Sequence, residues 1–352
     1  MALENNLKKT RKIIDRQILY FFPPKADKKN LLRILGKARY SYDEKSAGLA
    51  LNEPIWDLLG RGGKRWRPAL MLLCGEAFGA NPKKLLPYSI IPEIIHNGTL
   101  MVDDVEDNSD LRRGKLTIHK IYGGDIAINA GNAMYYLPLK ILLENPSKFS
   151  PKIINSAYSI YVQEMINLSY GQGFDILWHR GTNADISEDG YLQMCAFKTG
   201  TLARMAAKLG ALFAGASQKN IELAGEFAES IGIAFQIQDD ILNLTASEGY
   251  GKEIGGDISE GKRTLIVLRA LKQLNPNQRQ RLLFILNSHT KNQLIIGEAI
   301  SLIRGTDALE YSGGKAKELV LNAWEKFSKV LPNSKAKKQL KEFADYLIER
   351  KI

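Results

Sequence analysis

The chain of 352 residues holds only two cysteines, Cys74 and Cys195, too few for a disulfide framework and without the spacing of a metal site. Such sparse usage fits a reducing cytoplasm, with both thiols as small buried apolar groups. No stretch approaches the ~20 apolar residues of a bilayer span, because charge or glycine interrupts every candidate. No apolar run of signal-peptide type follows Lys8, Lys9, Arg11 and Lys12, which are mixed with Glu4 and Asp15, so the chain reads as a mature start. The expectation is a soluble protein, at most peripheral at a membrane.

Strand-like alternation between paired turns is scarce, and long linkers, low-complexity stretches and a convincing internal repeat are missing. The glycines do not form a phosphate-binding P-loop, and Gly249, Gly251 and Gly255 miss the dinucleotide fingerprint by one residue. Nucleotide cofactors are therefore not expected. A basic stripe interleaved with aromatics is also lacking, which argues against nucleic acid.

What is present is a 45% hydrophobic composition and a formal charge of +11, enough for a sizeable core and suited to an anionic ligand or an acidic surface. Apolar positions recur at helical period, as in Pro92-Glu93-Ile94-Ile95-His96 running into Leu100-Met101-Val102. Short breakers separate the helices: Phe22-Pro23-Pro24, Gly60 to Gly63, Gly79 to Pro82, Asn145-Pro146, Arg180 to Asn183, Asn275-Pro276 and Pro332 to Ser334. The pattern predicts an all-α fold, with residues 1–352 as a single domain.

Asp103-Asp104-Val105-Glu106-Asp107 lies in helical context, where i and i+4 put Asp103 and Asp107 on one face. Like charges so close weaken a helix by a few tenths of a kcal/mol, so the cluster asks for a cation unless it is a solvated acidic face. Mg2+ fits, since it takes hard oxygen ligands and favours a shared phosphate. Asp239-Asp240-Ile241-Leu242-Asn243 repeats the spacing after an apolar run. Two such helices facing each other could hold a diphosphate between metals, provided cations offset its charge. Arg112 and Arg113 follow the first motif, and Lys252 and Lys262 follow the second.

Upstream, Gly62-Gly63-Lys64-Arg65-Trp66-Arg67-Pro68 sets three cations beside glycines just ahead of a helix, a second phosphate site or a plain basic turn. His96 precedes Asp103 by two helical turns and shares roughly its face. Lys198-Thr199-Gly200 and Gly171-Gln172-Gly173-Phe174-Asp175 add donors and acceptors suited to an anionic pocket.

Together these residues resemble the trans-isoprenyl diphosphate synthase family, from about Gly62 to Thr264. His96-Asn97, Asp103 to Ser109 and Leu111-Arg112-Arg113-Gly114-Lys115 look like the first aspartate-rich region of archaeal and eukaryotic geranylgeranyl diphosphate synthases. Phe235-Gln236-Ile237-Gln238-Asp239-Asp240 looks like the second. The resemblance implies antiparallel helices around a deep cavity, a homodimer, and two or three Mg2+ ions held by Asp103, Asp104, Asp107 and Asp239. It implies that Arg112, Lys198, Thr199, Gln236, Lys252 and Lys262 hold the allylic diphosphate, and that Lys64, Arg67, His96 and Arg113 hold isopentenyl diphosphate. Asp103, Asp104, Asp107, Arg112, Lys198, Asp239 and Lys262 would carry the catalysis: cations draw off pyrophosphate, and the isopentenyl double bond attacks the allylic carbocation in a dry cavity.

Two positions depart from the family pattern: Asn243 replaces a common third Asp, and Leu116 replaces a common proline. Gly98 and Thr99 lie one turn before Asp103, where a growing tail would pass. Neither is bulky, which argues for a product of twenty carbons or more, with Ile91, Ile94, Ile95, Tyr135 or Tyr136 as candidate floor. A longer-chain synthase, a terpene cyclase and a non-catalytic partner subunit are the competing readings.

Overall fold

Caps and breakers end the helices where the sequence places them. The structure, a computed structural model, describes residues 2–181, 186–245 and 254–348. Helix Ala2–Phe21 stops at the Phe22-Pro23-Pro24 break, because proline disfavours helical backbone at the residue before it. Asn81 caps Pro82–Ser89 by accepting from the Lys83 N–H at 3.0 Å, and proline there gives up an N–H that would have no helical partner. Asn275 and Gln278 close a reciprocal capping box at the start of Pro276–Asn287.

The chain divides into two compact units. The first comprises Met1–Ile160, Ala206–Ile221 and Ser334–Gln339. Its core includes Tyr88 and Phe213, with the half-buried Phe149 beside them; Tyr88 and Phe149 are centred 4.5 and 4.7 Å from the Phe213 ring. Helix Ile91–Glu106, which carries the first acidic motif, crosses helix Gly124–Tyr136 at a pair of glycines. A methyl group on Gly98 would sit 2.8 Å from the Gly131 carbonyl oxygen, and one on Gly131 would sit 2.7 Å from Val102.

The second unit comprises Tyr161–Met205, Glu222–Asn333 and Leu340–Ile352. Leu244, Ile258, Ile266, Leu282, Ile285 and Ile303 form part of one buried apolar cluster there. The buried Arg204 guanidinium donates to Glu164 at 2.6–2.9 Å and also reaches Glu229 and Thr201. That network satisfies charges that burial would otherwise make costly.

Among the described residues the only strands are Leu111–Arg112 and Lys115–Leu116, an antiparallel pair with Arg112 opposite Lys115. No described helix is long and apolar enough to cross a membrane.

Candidate active site

Helix Ile91–Glu106 delivers the first acidic motif to its C-terminal end. Asp103 and Asp107 are half-buried, whereas Asp104 is fully buried. A step of one residue turns a helical side chain by about 100°, so neighbouring aspartates face different surroundings. Arg112 meets Asp104 through Nε at 2.8 Å and Nη2 at 2.5 Å, both to Oδ1. Burial raises the Asp104 pKa, and the Arg112 charge and hydrogen bonds oppose that rise.

Asp104, expected among the metal carboxylates, is turned toward Arg112 in this structure. One of its oxygens serves Arg112 and the other is buried without a hydrogen-bond partner. It orients the guanidinium, whose Nη2 also lies 3.8 Å from Asp103. Asp103 and Asp107 are left as the accessible pair. Among the described residues no three His, Cys, Asp or Glu side chains could by themselves hold a metal ion. Two carboxylates fit a metal that completes its shell with water and phosphate oxygens, the habit of Mg2+.

The hairpin after the motif sets the cations. Arg113 and Gly114 form its two-residue turn with φ of 54° and 73°, both positive as in a type I′ turn. Asparagine commonly precedes glycine there, and an arginine in left-handed backbone costs about 1–2 kcal/mol. Arg113 holds the strained turn by donating to the Leu58 and Gly62 carbonyls. Gly63, at φ 148°, makes room, since a methyl group on it would lie 3.2 Å from Arg65 and 3.4 Å from Arg113. Burial, then Arg65, pulls the Arg113 pKa down to about 10.

Of the three cations in Lys64-Arg65-Trp66-Arg67, Arg65 is structural. It is buried, ion-paired with Asp15 at 2.9 Å and Glu93 at 2.8 Å, and it donates to the Leu59 carbonyl. Arg67 is also buried, its guanidinium 4.3 Å from the Trp66 ring centroid, while Lys64 is exposed. His96 is held well below the ordinary imidazole range by burial and by the charges of Arg67, Arg113, Arg112 and Arg65. The first unit thus brings His96 into the field of four arginines.

That field predicts a measurable titration. A folded His96 that protonates less readily than in the unfolded chain stabilises the fold fully above about pH 6.5. This contribution is lost as pH falls toward the folded value. Imidazole NMR signals should show His96 titrating below the other histidines, and inorganic pyrophosphate should raise its midpoint by offsetting the arginines. A midpoint near 6.5 that ignores pyrophosphate would remove His96 from the anion site.

In the second unit, Ala196–Gly200 forms a π-helical turn between helices Glu188–Cys195 and Thr201–Phe213. Such turns insert one residue and re-aim the side chains beside it. Glycines let backbones approach at this point: a methyl group on Gly171 would lie 2.3 Å from the Lys198 nitrogen, and one on Gly232 would lie 2.6 Å from the Gly200 Cα. Lys198 ion-pairs with Asp175 at 2.5 Å, and the Thr199 hydroxyl donates to the Gln236 carbonyl oxygen at 2.9 Å.

Gln236 in turn donates to Asp240 at 2.8 Å, and Tyr191 donates to the other Asp240 oxygen at 2.8 Å. Burial, then the nearby Asp257 charge, pushes the Asp240 pKa up to about 8. The second motif thus repeats the first: the middle aspartate is buried, and the leading Asp239 is half-buried. Asn243 has a structural task, its Oδ1 accepting from the Asp257 N–H at 3.1 Å and its carbonyl from Gly255 at 2.9 Å. Lys262 pairs with Asp257 and Glu260. The expected Lys252 lies outside the described residues.

The π-helical turn, the Tyr191 contact and the Arg112 clamp are not legible in the sequence. Each depends on which neighbour a buried group meets. Leu116 is 52% exposed on its short strand, and nothing in the structure explains why leucine stands there.

Residues 49–303 match the model of the polyprenyl synthetase family. The chain belongs to that family. It is 34% identical over 297 residues to the geranylgeranyl diphosphate synthase of Methanosarcina mazei, covering 83% of this chain and 87% of the relative. It is 33% identical over 294 residues to a short chain isoprenyl diphosphate synthase of Methanothermobacter thermautotrophicus, covering 83% and 88%. The crystal structure of a geranylgeranyl pyrophosphate synthetase from Pyrococcus horikoshii superposes with a TM-score of 0.85 at 29% identity, over 99% of each chain. The fold is that of the isoprenoid synthases, and the protein is a trans-prenyltransferase.

Proposed function

We propose that this polyprenyl synthetase joins isopentenyl diphosphate to dimethylallyl, geranyl and farnesyl diphosphates, yielding geranylgeranyl diphosphate and pyrophosphate. The observation that carries the reading is the half-buried Asp103 and Asp107 pair beside the arginines that surround His96. Asp103, Asp107 and Asp239 are the proposed metal carboxylates, and Asp104 positions Arg112. Lys198, Thr199, Gln236 and Lys262 hold the allylic diphosphate, together with Arg112. Lys64, Arg67, His96 and Arg113 hold isopentenyl diphosphate. Mg2+ bound at the carboxylates would neutralise charge on the departing pyrophosphate.

The cations share that task, since charge that develops in the transition state is best met by groups already oriented for it. Arg112 is oriented by Asp104, and Arg113 by two backbone carbonyls. Four of the five boundaries between the compact units fall inside helices, which supports treating residues 1–352 as one synthase domain. Val162, Ile166, Tyr170 and Leu177 are 48–61% exposed along helix Pro151–His179, and their spacing supports a homodimer formed through that stripe. Both cysteines are free and buried, which supports the cytoplasm as its setting.

The test is incubation with isopentenyl diphosphate, Mg2+ and, separately, each allylic primer, followed by product sizing after removal of phosphate. A twenty-carbon product is expected. Longer products would keep the reaction and move the cavity floor deeper. Hydrocarbon without elongation would indicate a cyclase, and no Mg2+-dependent turnover from any primer would overturn the reading.

A further inference from the structure

The net positive charge is concentrated at one end of the chain. Residues 1–50 contain twelve Lys and Arg against five Asp and Glu, so +7 of the +11 lies in one seventh of the sequence. None of that stretch takes part in the proposed catalysis. Its first helix, Ala2–Phe21, buries Ile14 and Ile18 against the first unit. On the opposite side Lys8, Lys9, Lys12, Ile13, Arg16, Leu19 and Tyr20 are exposed. At 100° per residue these seven positions fall within an arc of about 140°.

The next helix, Lys28–Leu35, repeats the pattern: it buries Leu31 and exposes Lys28, Lys29, Leu32 and Leu35. The two helices meet at Arg33, which lies 5.4 Å from the Tyr20 ring centroid and donates to the Phe21 carbonyl at 2.8 Å. Among the described residues, neither exposed face contains an acid. Large apolar side chains stand between the cations: Leu19 is 46% exposed, Tyr20 65%, Leu32 50% and Leu35 66%.

We propose that the exposed faces of these two helices dock the enzyme on an anionic lipid surface. Basic side chains meet the anionic headgroups while the leucines, Ile13 and the tyrosine enter the boundary between headgroup and acyl chain, as an amphipathic helix does when it lies in the interface. A polynucleotide would satisfy the cations equally well, but it leaves the aliphatic side chains in water, so lipid accounts for both components of the face. A bilayer surface also suits an enzyme whose expected product is an anionic amphiphile. That last point alone rests on the proposed function; the docking does not.

The test uses the full chain with extruded vesicles of phosphatidylcholine, alone or mixed with phosphatidylglycerol, read by co-sedimentation across a salt series. Binding should favour the anionic vesicles and weaken as salt rises. Replacing Lys8, Lys9, Lys12 and Arg16 together with Gln should lower partitioning by nearly three orders of magnitude, at about fivefold per charge. A second variant, I13S/L19S/L32S, should weaken anionic binding at constant salt by about tenfold or more, with unchanged melting and unchanged elongation of soluble primers. Equal sedimentation with neutral and anionic vesicles, or variants that bind like the parent, would overturn the proposal. So would a polynucleotide complex insensitive to the serine changes in a protein that ignores vesicles.

Discussion

Asp103→Asn and Asp107→Asn are each expected to lower Mg2+-dependent elongation by about a thousandfold, the scale on which a charge-stabilising group at a reacting centre is felt. Neither should move the melting temperature appreciably, because both carboxylates are half-buried at the end of their helix. Asp104→Ala should behave differently. It strips the buried Arg112 contact of its acceptor, and breaking a buried ion pair costs about 3–5 kcal/mol. Arg112 retains 19% side-chain exposure, which places the cost at the lower end of that range. The melting temperature should therefore fall by several degrees, and activity should fall with it as Arg112 loses its orientation. Turnover in Asp103→Asn close to the parent's would sink the metal assignment. An Asp104→Ala enzyme that melts like the parent yet is inactive would return Asp104 to the ligand set.

The same comparison marks how far the sequence reaches. Helical spacing alone pairs Asp103 with Asp107, because i and i+4 share a face in any helix. It is silent on Asp104, whose burial depends on a hairpin eight residues later. That hairpin in turn hides its turn type, since Arg113 occupies a position where asparagine is the usual signal. Breakers such as Asn81-Pro82 and Asn275-Pro276 were legible because capping is local chemistry. The π-helical turn at Ala196–Gly200 was not, since a single inserted residue leaves the hydrophobic period almost unchanged. Asn243 looks like a weakened metal motif in the sequence, yet its side chain accepts from the Asp257 backbone N–H while its own carbonyl accepts from Gly255, contacts visible only once the chain has folded back.

Gly98 shows the opposite failure, in which a small residue is taken for open space. From sequence, Gly98→Phe should shorten the product by filling the tail's path. In the structure that path is occupied: a methyl group on Gly98 would lie 2.8 Å from both the Gly131 oxygen and Met134 Cβ, and 3.2 Å from the Tyr135 ring. Tyr135 thus packs at the helix crossing, and Tyr136 is 69% exposed and is no floor. Alanine favours a helix interior over glycine by about 1 kcal/mol, yet Gly98→Ala should lower the melting temperature, because two helix backbones must part to admit it. Gly98→Phe should fail to fold, or lose well over about 3 kcal/mol, since overpacking against backbone leaves no rotamer to escape into. Thr99 is the other candidate position on that turn. It is half-buried, its hydroxyl donates to the His96 carbonyl at 2.8 Å, and it precedes Asp103 by four residues on the same face. Thr99→Phe should fold and shift the product toward fifteen carbons. Thermal melts and product sizing of Gly98→Ala and Thr99→Phe together decide the matter. A Gly98→Ala protein that melts higher and makes shorter chains, beside a Thr99→Phe enzyme with an unchanged product, would put the tail past Gly98 after all.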